Sequence, residues 1–499
     1  MLPSDSAPTG PLGPAAARLV AGDLLVANTW AAGRGEAQET VNPADEQPLW
    51  RINSATPAQV DAAVAAARAA FDGGEWSRCG PTGRRDLLLA LADQMERHRA
   101  ELEEIVVADV GTPVSLARTL QVAIPIANLR WFADAAVRGP RGGYDEPLRP
   151  HFGNVASTSM LLREPVGVVA ALVAYNYPLY LTVWKIGAAL AAGCPVVLMP
   201  SPRAPLAVAA LAELAVRAGF PPGAVNLVQG PPSVGEQLAR HPDVDMVSFT
   251  GSETAGAAVM RAAADTTKKV VLELGGKSPD IVLPGVDPDQ ILPAAVLRFT
   301  RNAGQGCGAT TRLLVPRQRY DEFAAAAIAA LESLRVGDPT DPATDVGPLI
   351  SAGHRAGVLA RIGRATAAGG RVLCGGQAPP GPGYYLRPTL VGGLSNSDEL
   401  AQEELFAPVG VILPYEDVAD AVRLANESRF GLNANIWGPT TEAFPIARRL
   451  RVGNVTLNGG GDVRPESPWG GYKRSGVGRE MGEDGLAEYF HVKHLQWRM

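Results

Sequence analysis

A thiol and a carboxylate frame the chemistry open to this chain. Cys307 stands in NAGQGCGATTR (residues 302 to 312) and Glu273 in VVLELGGKSP (residues 270 to 279), each in a glycine-rich break just after an apolar run. Such breaks let a side chain project from a rigid scaffold into a cleft. Cys307, flanked by Gly306 and Gly308, has the low steric cover of a nucleophile that must meet a substrate, and a nearby carboxylate can act as a base. Taken singly, the cysteine reads as readily as a tolerated loop residue, and the glutamate as a surface carboxylate at a strand end. The pair is what points to chemistry.

Further residues gain meaning beside them. Asn176, in AYNYPLY, carries a side-chain amide able to donate to a developing oxyanion, or to cap a helix ahead of Pro178. In FTGSETAGAAVM (249 to 260) a buried strand breaks at Gly251 and a helix begins, an arrangement in which backbone amides can approach a phosphate, or simply turn the chain. Glu404 and Phe406 in EELFAPVG can grip a ribose and face a flat ring, or decorate a strand edge. SPWGGYKRSGVGRE (467 to 480) sets Gly470, Gly471, Gly476 and Gly478 among aromatic and basic residues, as a working loop or a mobile one.

The elements that must position these groups alternate. From residue 167 an apolar run GVVAALVA is followed by a helical stretch from Leu179 to Ala192, then PVVLMP, a helix from Leu206 to Ala218, AVNLVQG, a short helix near Val234 to Arg240, and DMVSFTG. Short apolar strands alternating with helices specify a parallel sheet with right-handed crossovers, of the dinucleotide-binding type. A second series runs from TRLLVP through helices at Tyr320 to Leu334 and Arg355 to Ala368, VGVILPY, a helix at Val418 to Ser428, NANIWG and GNVTLN. The region before the first series is mostly helical: TPAQVDAAVAAARAAF opens on a Thr cap, and Arg84 to Val107 carries apolar residues at helical spacing. Pro147 to Arg163, polar and alternating, predicts a projecting β-hairpin.

At 499 residues the chain exceeds one hydrophobic core, so two or more domains are expected. A net charge of −6 with no long basic run argues against nucleic acid as a partner. No apolar stretch reaches the ~20 residues that span a bilayer, and the start of the chain lacks the pattern of a secretion signal, so a cytoplasmic protein is expected. Cys79, Cys194, Cys307 and Cys374 are too few and scattered for a disulfide framework and read as reduced thiols, Cys194 and Cys374 as buried filler. With no suitably spaced histidine cluster, metal and thiol-hydrolase readings fall away.

Together AYNYP, VNLVQG, FTGSETAG, LELGGKSP, NAGQGC and EELFAPV, followed by SPWGGYKRSGVGRE, closely resemble the aldehyde dehydrogenase superfamily in its own order, from about Val41 to the C-terminus. The resemblance implies two doubly wound α/β domains and a small β oligomerisation element. Residues 1–146 and 164–273 would bind the dinucleotide, 274–471 would form the catalytic domain, and 147–163 with 488–499 would assemble a homodimer or homotetramer. It implies Cys307 as nucleophile, Glu273 as general base, Asn176 in the oxyanion hole, and Lys185 assisting proton relay. Ala174, Tyr175, Met199, Gly251, Ser252, Glu253, Thr254, Ala255, Gly256, Leu274, Glu404 and Phe406 would meet the cofactor, and no metal is implied. Tyr177, Leu181, Trp184, Gly306, Gly308, Val463 and Trp469 would line an apolar pocket for a medium-sized aldehyde.

Four departures from the family pattern stand out. Met199 and Pro202 replace a lysine and a glutamate that usually bind the adenosine ribose, so the cofactor is NAD or NADP, with NAD favoured. Tyr175 replaces a tryptophan, and Trp469 a phenylalanine. The competing reading is a non-catalytic ligand-binding or structural protein on the same fold.

Overall fold

The computed structural model describes residues 12–461 and 464–499. Its first sheet runs, in spatial order, Thr29–Ala31, Leu24–Val26, Val225–Leu227, Val196–Pro200, Val169–Val173, Met246–Thr250, Lys269–Glu273 and Gly476–Val477. The five central strands are parallel, and antiparallel strands close both edges. Val169–Val173 and Val196–Pro200 are buried along their whole length, as strands covered by helices on both faces must be. The chain proceeds outward from Val169–Val173 to Val225–Leu227, then returns to lay Met246–Thr250 on the other side. This reversal makes a crevice at the carboxyl ends of the strands, the place where open α/β sheets bind ligands.

The second sheet follows the order Arg371–Cys374, Thr389–Gly392, Val409–Tyr415, Arg312–Pro316, Pro279–Val282, Asn433–Trp437 and Asn454–Leu457, parallel except for its first strand. Two α/β units and a small separate sheet are thus present, as expected. The small sheet pairs Asp145–Phe152 with Ala156–Pro165, and Ala156–Pro165 with Phe490–Arg498. The hairpin is slightly longer than the polar alternation of 147 to 163 indicated.

Two features differ from the sequence reading. The region before residue 57 contains four short strands, at Leu24–Val26, Thr29–Ala31, Ala37–Val41 and Pro48–Asn53. They are three to six residues long and only partly buried, so they lack the apolar runs that marked the central strands. The expected helix of Arg84 to Val107 is two, Pro81–Arg97 and Arg99–Val110, broken where His98 leaves helical dihedrals. The Thr56 cap is present: Gln59 Oε1 accepts the Thr56 N–H at 3.1 Å.

The helix Pro178–Ala192 is buried at every position and ends on Gly193, whose φ of +100° completes a left-handed cap. Within it Lys185 is wholly buried and paired with Glu480, while its Nζ also donates to Ser248 Oγ at 3.2 Å. The pair ties the first α/β unit to the chain's last segment. Among the described residues no helix is long and apolar enough to cross a membrane.

Breaking a buried ion pair leaves one charge uncompensated, at a cost of about 3–5 kcal/mol. Lys185→Met or Glu480→Gln alone is therefore expected to lower stability by that amount in denaturant unfolding. The double variant Lys185→Met with Glu480→Leu is expected to recover most of the loss; additive losses would contradict the pairing.

Candidate active site

Glu273 is the last residue of the strand Lys269–Glu273, and the glycines after it are fixed by close approach. A Cβ on Gly275 would lie 2.1 Å from Glu404 Oε2, and one on Gly276 would lie 2.7 Å from the Cys307 carbonyl oxygen. The LGG turn is thus the seat on which both the Cys307 loop and Glu404 rest. The C-terminal glycine loop closes over it: Leu274 N–H donates to the Ser475 carbonyl at 3.0 Å, Ser475 Oγ donates to the Gly275 carbonyl at 2.7 Å, and Gly476 pairs with Glu273.

The Glu273 carboxyl is buried, with 1% of the residue exposed. Its Oε1 accepts the Trp469 indole N–H at 3.0 Å, whereas Oε2 has no hydrogen-bond partner. Burial pushes its pKa up to about 8, aided by the charge of Glu480 and opposed by Trp469, Cys307 and Lys185. Cys307 is partly exposed, and its thiol is raised well above the ordinary range by burial first and then by the facing Glu273 carboxyl. The carboxylate disfavours charge on the thiol, whereas the thiol favours charge on the carboxyl, so the proton between them rests on sulfur.

Asn176 does not cap the following helix, whose N-cap is Tyr177. Its Nδ2 donates to the Gln305 carbonyl at 2.9 Å, two residues before the thiol, and leaves a second N–H available. The Asn176 carbonyl is held by Gln121 and Asn302. Asn302 and Ala303 stand at positive φ of 52° and 53°, and Phe406 at 56°. Strain of this kind persists where the surroundings enforce it, and it gathers here around the thiol loop and its neighbour.

A cleft of about 970 Å³ opens at the strand ends. Ala174, Tyr175, Asn176, Met199, Gly251, Ser252, Thr254, Ala255, Glu273, Cys307, Glu404 and Phe406 all line it. The helix Glu253–Ala264 points its N-terminus there, capped by Ser252 Oγ accepting from Ala255 N–H. Gly256 lets this helix lie on Leu274, whose side chain a Cβ would meet at 2.5 Å. Gly256 and Leu274 thus shape the cleft from behind. Glu253 turns aside, held by Arg429 at 2.9 Å and Arg474 at 2.7 Å.

Glu404 accepts the Gly276 N–H at 3.0 Å, and burial raises its pKa to about 7. Met199 is buried, and the Arg203 guanidinium lies 5.7 Å over the Tyr175 ring.

Aromatic side chains gather around the thiol loop. Tyr177 faces Gly306, Trp469 lies against Gly308, and Tyr177, Tyr180, Trp184 and Trp469 form a continuous run of ring contacts. Leu181 is buried one turn into the same helix. Val463 lies outside the described residues. Lys185 does not line the cleft, and reaches Glu273 only through its charge.

Sequence reasoning missed Gln305, although it sits in the NAGQGC motif; its side chain accepts from Tyr175 OH at 3.2 Å and from Ile350 N–H at 3.0 Å. It also missed Tyr180, Glu480, Arg361 and His354, the last donating Nε2–H to the Phe406 carbonyl at 2.8 Å. Tyr180 and Glu480 end the segments AYNYPLY and SPWGGYKRSGVGRE, whereas no local pattern marks Arg361 and His354, which only the tertiary fold brings in.

A partly exposed thiol and a buried carboxyl in one cleft at the switch point of a doubly wound sheet define an α/β enzyme. The aldehyde dehydrogenase family matches over residues 30–495, and the chain belongs to it. The chain is similar to putative aldehyde dehydrogenase DhaS of Bacillus subtilis, at 38% identity with 92% of each chain covered. It is equally similar to the NADP/NAD-dependent aldehyde dehydrogenase PuuC of Escherichia coli, at 38% with 93% of each covered. Among solved structures it resembles aldehyde dehydrogenase AldC of Pseudomonas syringae in complex with NAD+ and octanal, with TM-score 0.90, 38% identity, and 95% and 96% of the two chains covered. The alternative of a non-catalytic protein on this fold gives way to membership of an enzymatic family.

Gly275→Ala is expected to push the Glu404 carboxylate from its seat. A crystal structure of the variant should show Glu404 displaced, and NAD(P) affinity measured by protein fluorescence should fall about tenfold or more, roughly 1.4 kcal/mol. Unchanged affinity would contradict the role of this close approach.

Proposed function

We propose that the chain oxidises an aldehyde to a carboxylic acid with NAD(P), through a thiohemiacetal and then a thioester on Cys307. The observation that carries the proposal is that Cys307 and the buried Glu273 carboxyl line one cleft, close enough for the carboxyl to raise the thiol. In this reading the Cys307 thiol loses its proton to solvent as sulfur bonds to the aldehyde carbon. The oxyanion is held by the free Asn176 N–H and a backbone N–H at Cys307. A bound nicotinamide supplies the acceptor for the hydride that leaves this carbon. Glu273 then takes a proton from water as the water oxygen bonds to the acyl carbon, and the C–S bond breaks, the proton passing from Glu273 to sulfur as the acid leaves.

The cleft residues fit a dinucleotide. The capped N-terminus of Glu253–Ala264 offers amides to a pyrophosphate, and Glu404, fixed on Gly276, is an acceptor for ribose hydroxyls. NAD is the first candidate. NADP is admitted because Met199 and Pro202 put no carboxylate at the adenosine end to repel a 2′-phosphate, while Arg203 adds positive charge there. Lys185, paired with Glu480 behind the base, would relay protons away from Glu273.

The aromatic run from Tyr177 to Trp469, with Leu181, Gly306 and Gly308, suits an apolar aldehyde of medium size. The division of labour proposed for residues 1–146 with 164–273, for 274–471, and for the small sheet follows the same reading. Val492, Leu495 and Trp497 are exposed on the edge strand of that sheet, which supports a homodimer or homotetramer built through it.

Cys307→Ala is expected to abolish NAD(P) reduction across a panel of aldehydes assayed with each cofactor separately; retained turnover would sink the proposal. Glu273→Gln should keep a single-turnover burst of reduced cofactor and lose steady-state acid release. In the native enzyme the base must be ionised, so hydrolysis is expected to rise with pH and level off above about 8. A flat profile between about pH 6 and about pH 9 would contradict the assignment.

A further inference from the structure

The Trp469 indole does something that neither the thiol chemistry nor the dinucleotide cleft requires. Its Nε1–H donates to Glu273 Oε1 at 3.0 Å, while Oε2 is left without a partner. The residue is itself held firmly. Its backbone N–H and carbonyl exchange two 2.7 Å hydrogen bonds with Glu480, and its ring lies 6.2 Å from that of Trp184. The far edge of the indole meets the Cys307 loop, where a Cβ on Gly308 would come within 2.9 Å. One side chain therefore touches the carboxyl and the residue next to the thiol. A phenylalanine in its place would fill the space but offer no proton to a carboxylate.

We propose that Trp469 is a positioning residue for the general base: its N–H pins one Glu273 oxygen and leaves the other, Oε2, to take protons at Cys307. Two physical effects follow. A carboxyl held by one oxygen keeps its free oxygen in a single place, which favours proton transfer in a fixed geometry. A donor to a carboxylate also stabilises its charged form, working against the burial and the Glu480 charge that raise it. Without the indole N–H, Glu273 would be a buried carboxyl with neither oxygen hydrogen-bonded, held less firmly and harder to ionise.

This inference rests on the proposed roles of Cys307 and Glu273, and the test separates the two. Deacylation is followed against pH in full-length native enzyme, Trp469→Phe, Trp184→Phe and Glu273→Gln, with the burst of reduced cofactor recorded for each. In Trp469→Phe the rising limb is expected to move to higher pH by about one unit, the scale of one hydrogen bond to a charged group. Deacylation below the limb should then fall about tenfold while the burst persists.

Trp184→Phe alters the same aromatic cluster without touching the carboxyl, so it is expected to change KM and leave the limb in place. Should Trp469→Phe not fold, as judged by its melting temperature, Trp469→Leu, also without a donor, serves the same comparison. A limb abolished by Glu273→Gln yet unmoved by loss of the indole N–H would overturn the role of Trp469 alone. A limb that survives Glu273→Gln would remove the assigned base, and this inference with it.

Discussion

A carboxyl buried against a thiol is the constraint from which the site's arrangement follows. Glu273 has 1% of its surface exposed and a pKa pushed up to about 8, and the Cys307 thiol facing it is raised as well. In water neither group would need help to ionise near its ordinary value; in this setting each depends on the few groups that touch it. Those groups are accordingly fixed by backbone rather than by mobile side chains. The LGG turn carries the Cys307 loop at 2.7 Å and Glu404 at 2.1 Å from where added Cβ atoms would stand, so a methyl at Gly276 would meet backbone and one at Gly275 would displace Glu404.

The two α/β units bring different halves of the chemistry to this turn. From the first come Asn176, at the end of one central strand, and Glu273, at the end of another. From the second come the thiol loop and Glu404. The last segment of the chain then returns to pair Gly476 with Glu273, and sets Glu480 against Lys185 behind the base. Residues at positive φ, Asn302, Ala303 and Phe406, lie where the elements meet. The strain is local, and it is supported by dense packing on both sides.

Much of this was legible in the sequence, for identifiable reasons. Strands such as Val169–Val173 and Val196–Pro200 announce themselves because both faces are buried and the residues are uniformly apolar. Glu273 and Asn176 stood out because they occupy glycine- or aromatic-flanked breaks after such strands, and Cys307 because glycines flank it, although the apolar run before it is the helix Pro288–Thr300. The short N-terminal strands carry no comparable run, and the break at His98 depends on backbone dihedrals rather than on a helix-breaking residue. His354 lies in no motif, and Gln305 and Glu480, though inside motifs, act through contacts with segments distant in sequence that the motifs do not specify. Trp469 was read as a pocket wall; its hydrogen bond to the base depends on a rotamer and a register that only the folded chain sets.

The most direct test of the central claim is chemical mapping of the acyl group. Native enzyme mixed with aldehyde and NAD(P) is quenched in acid within the first turnover, digested and analysed by mass spectrometry. The account predicts one labile acyl adduct, on the peptide carrying Cys307, that disappears as free acid is released. An adduct on Cys79, Cys194 or Cys374, or acid formed with no enzyme-bound acyl group at any time, would contradict it.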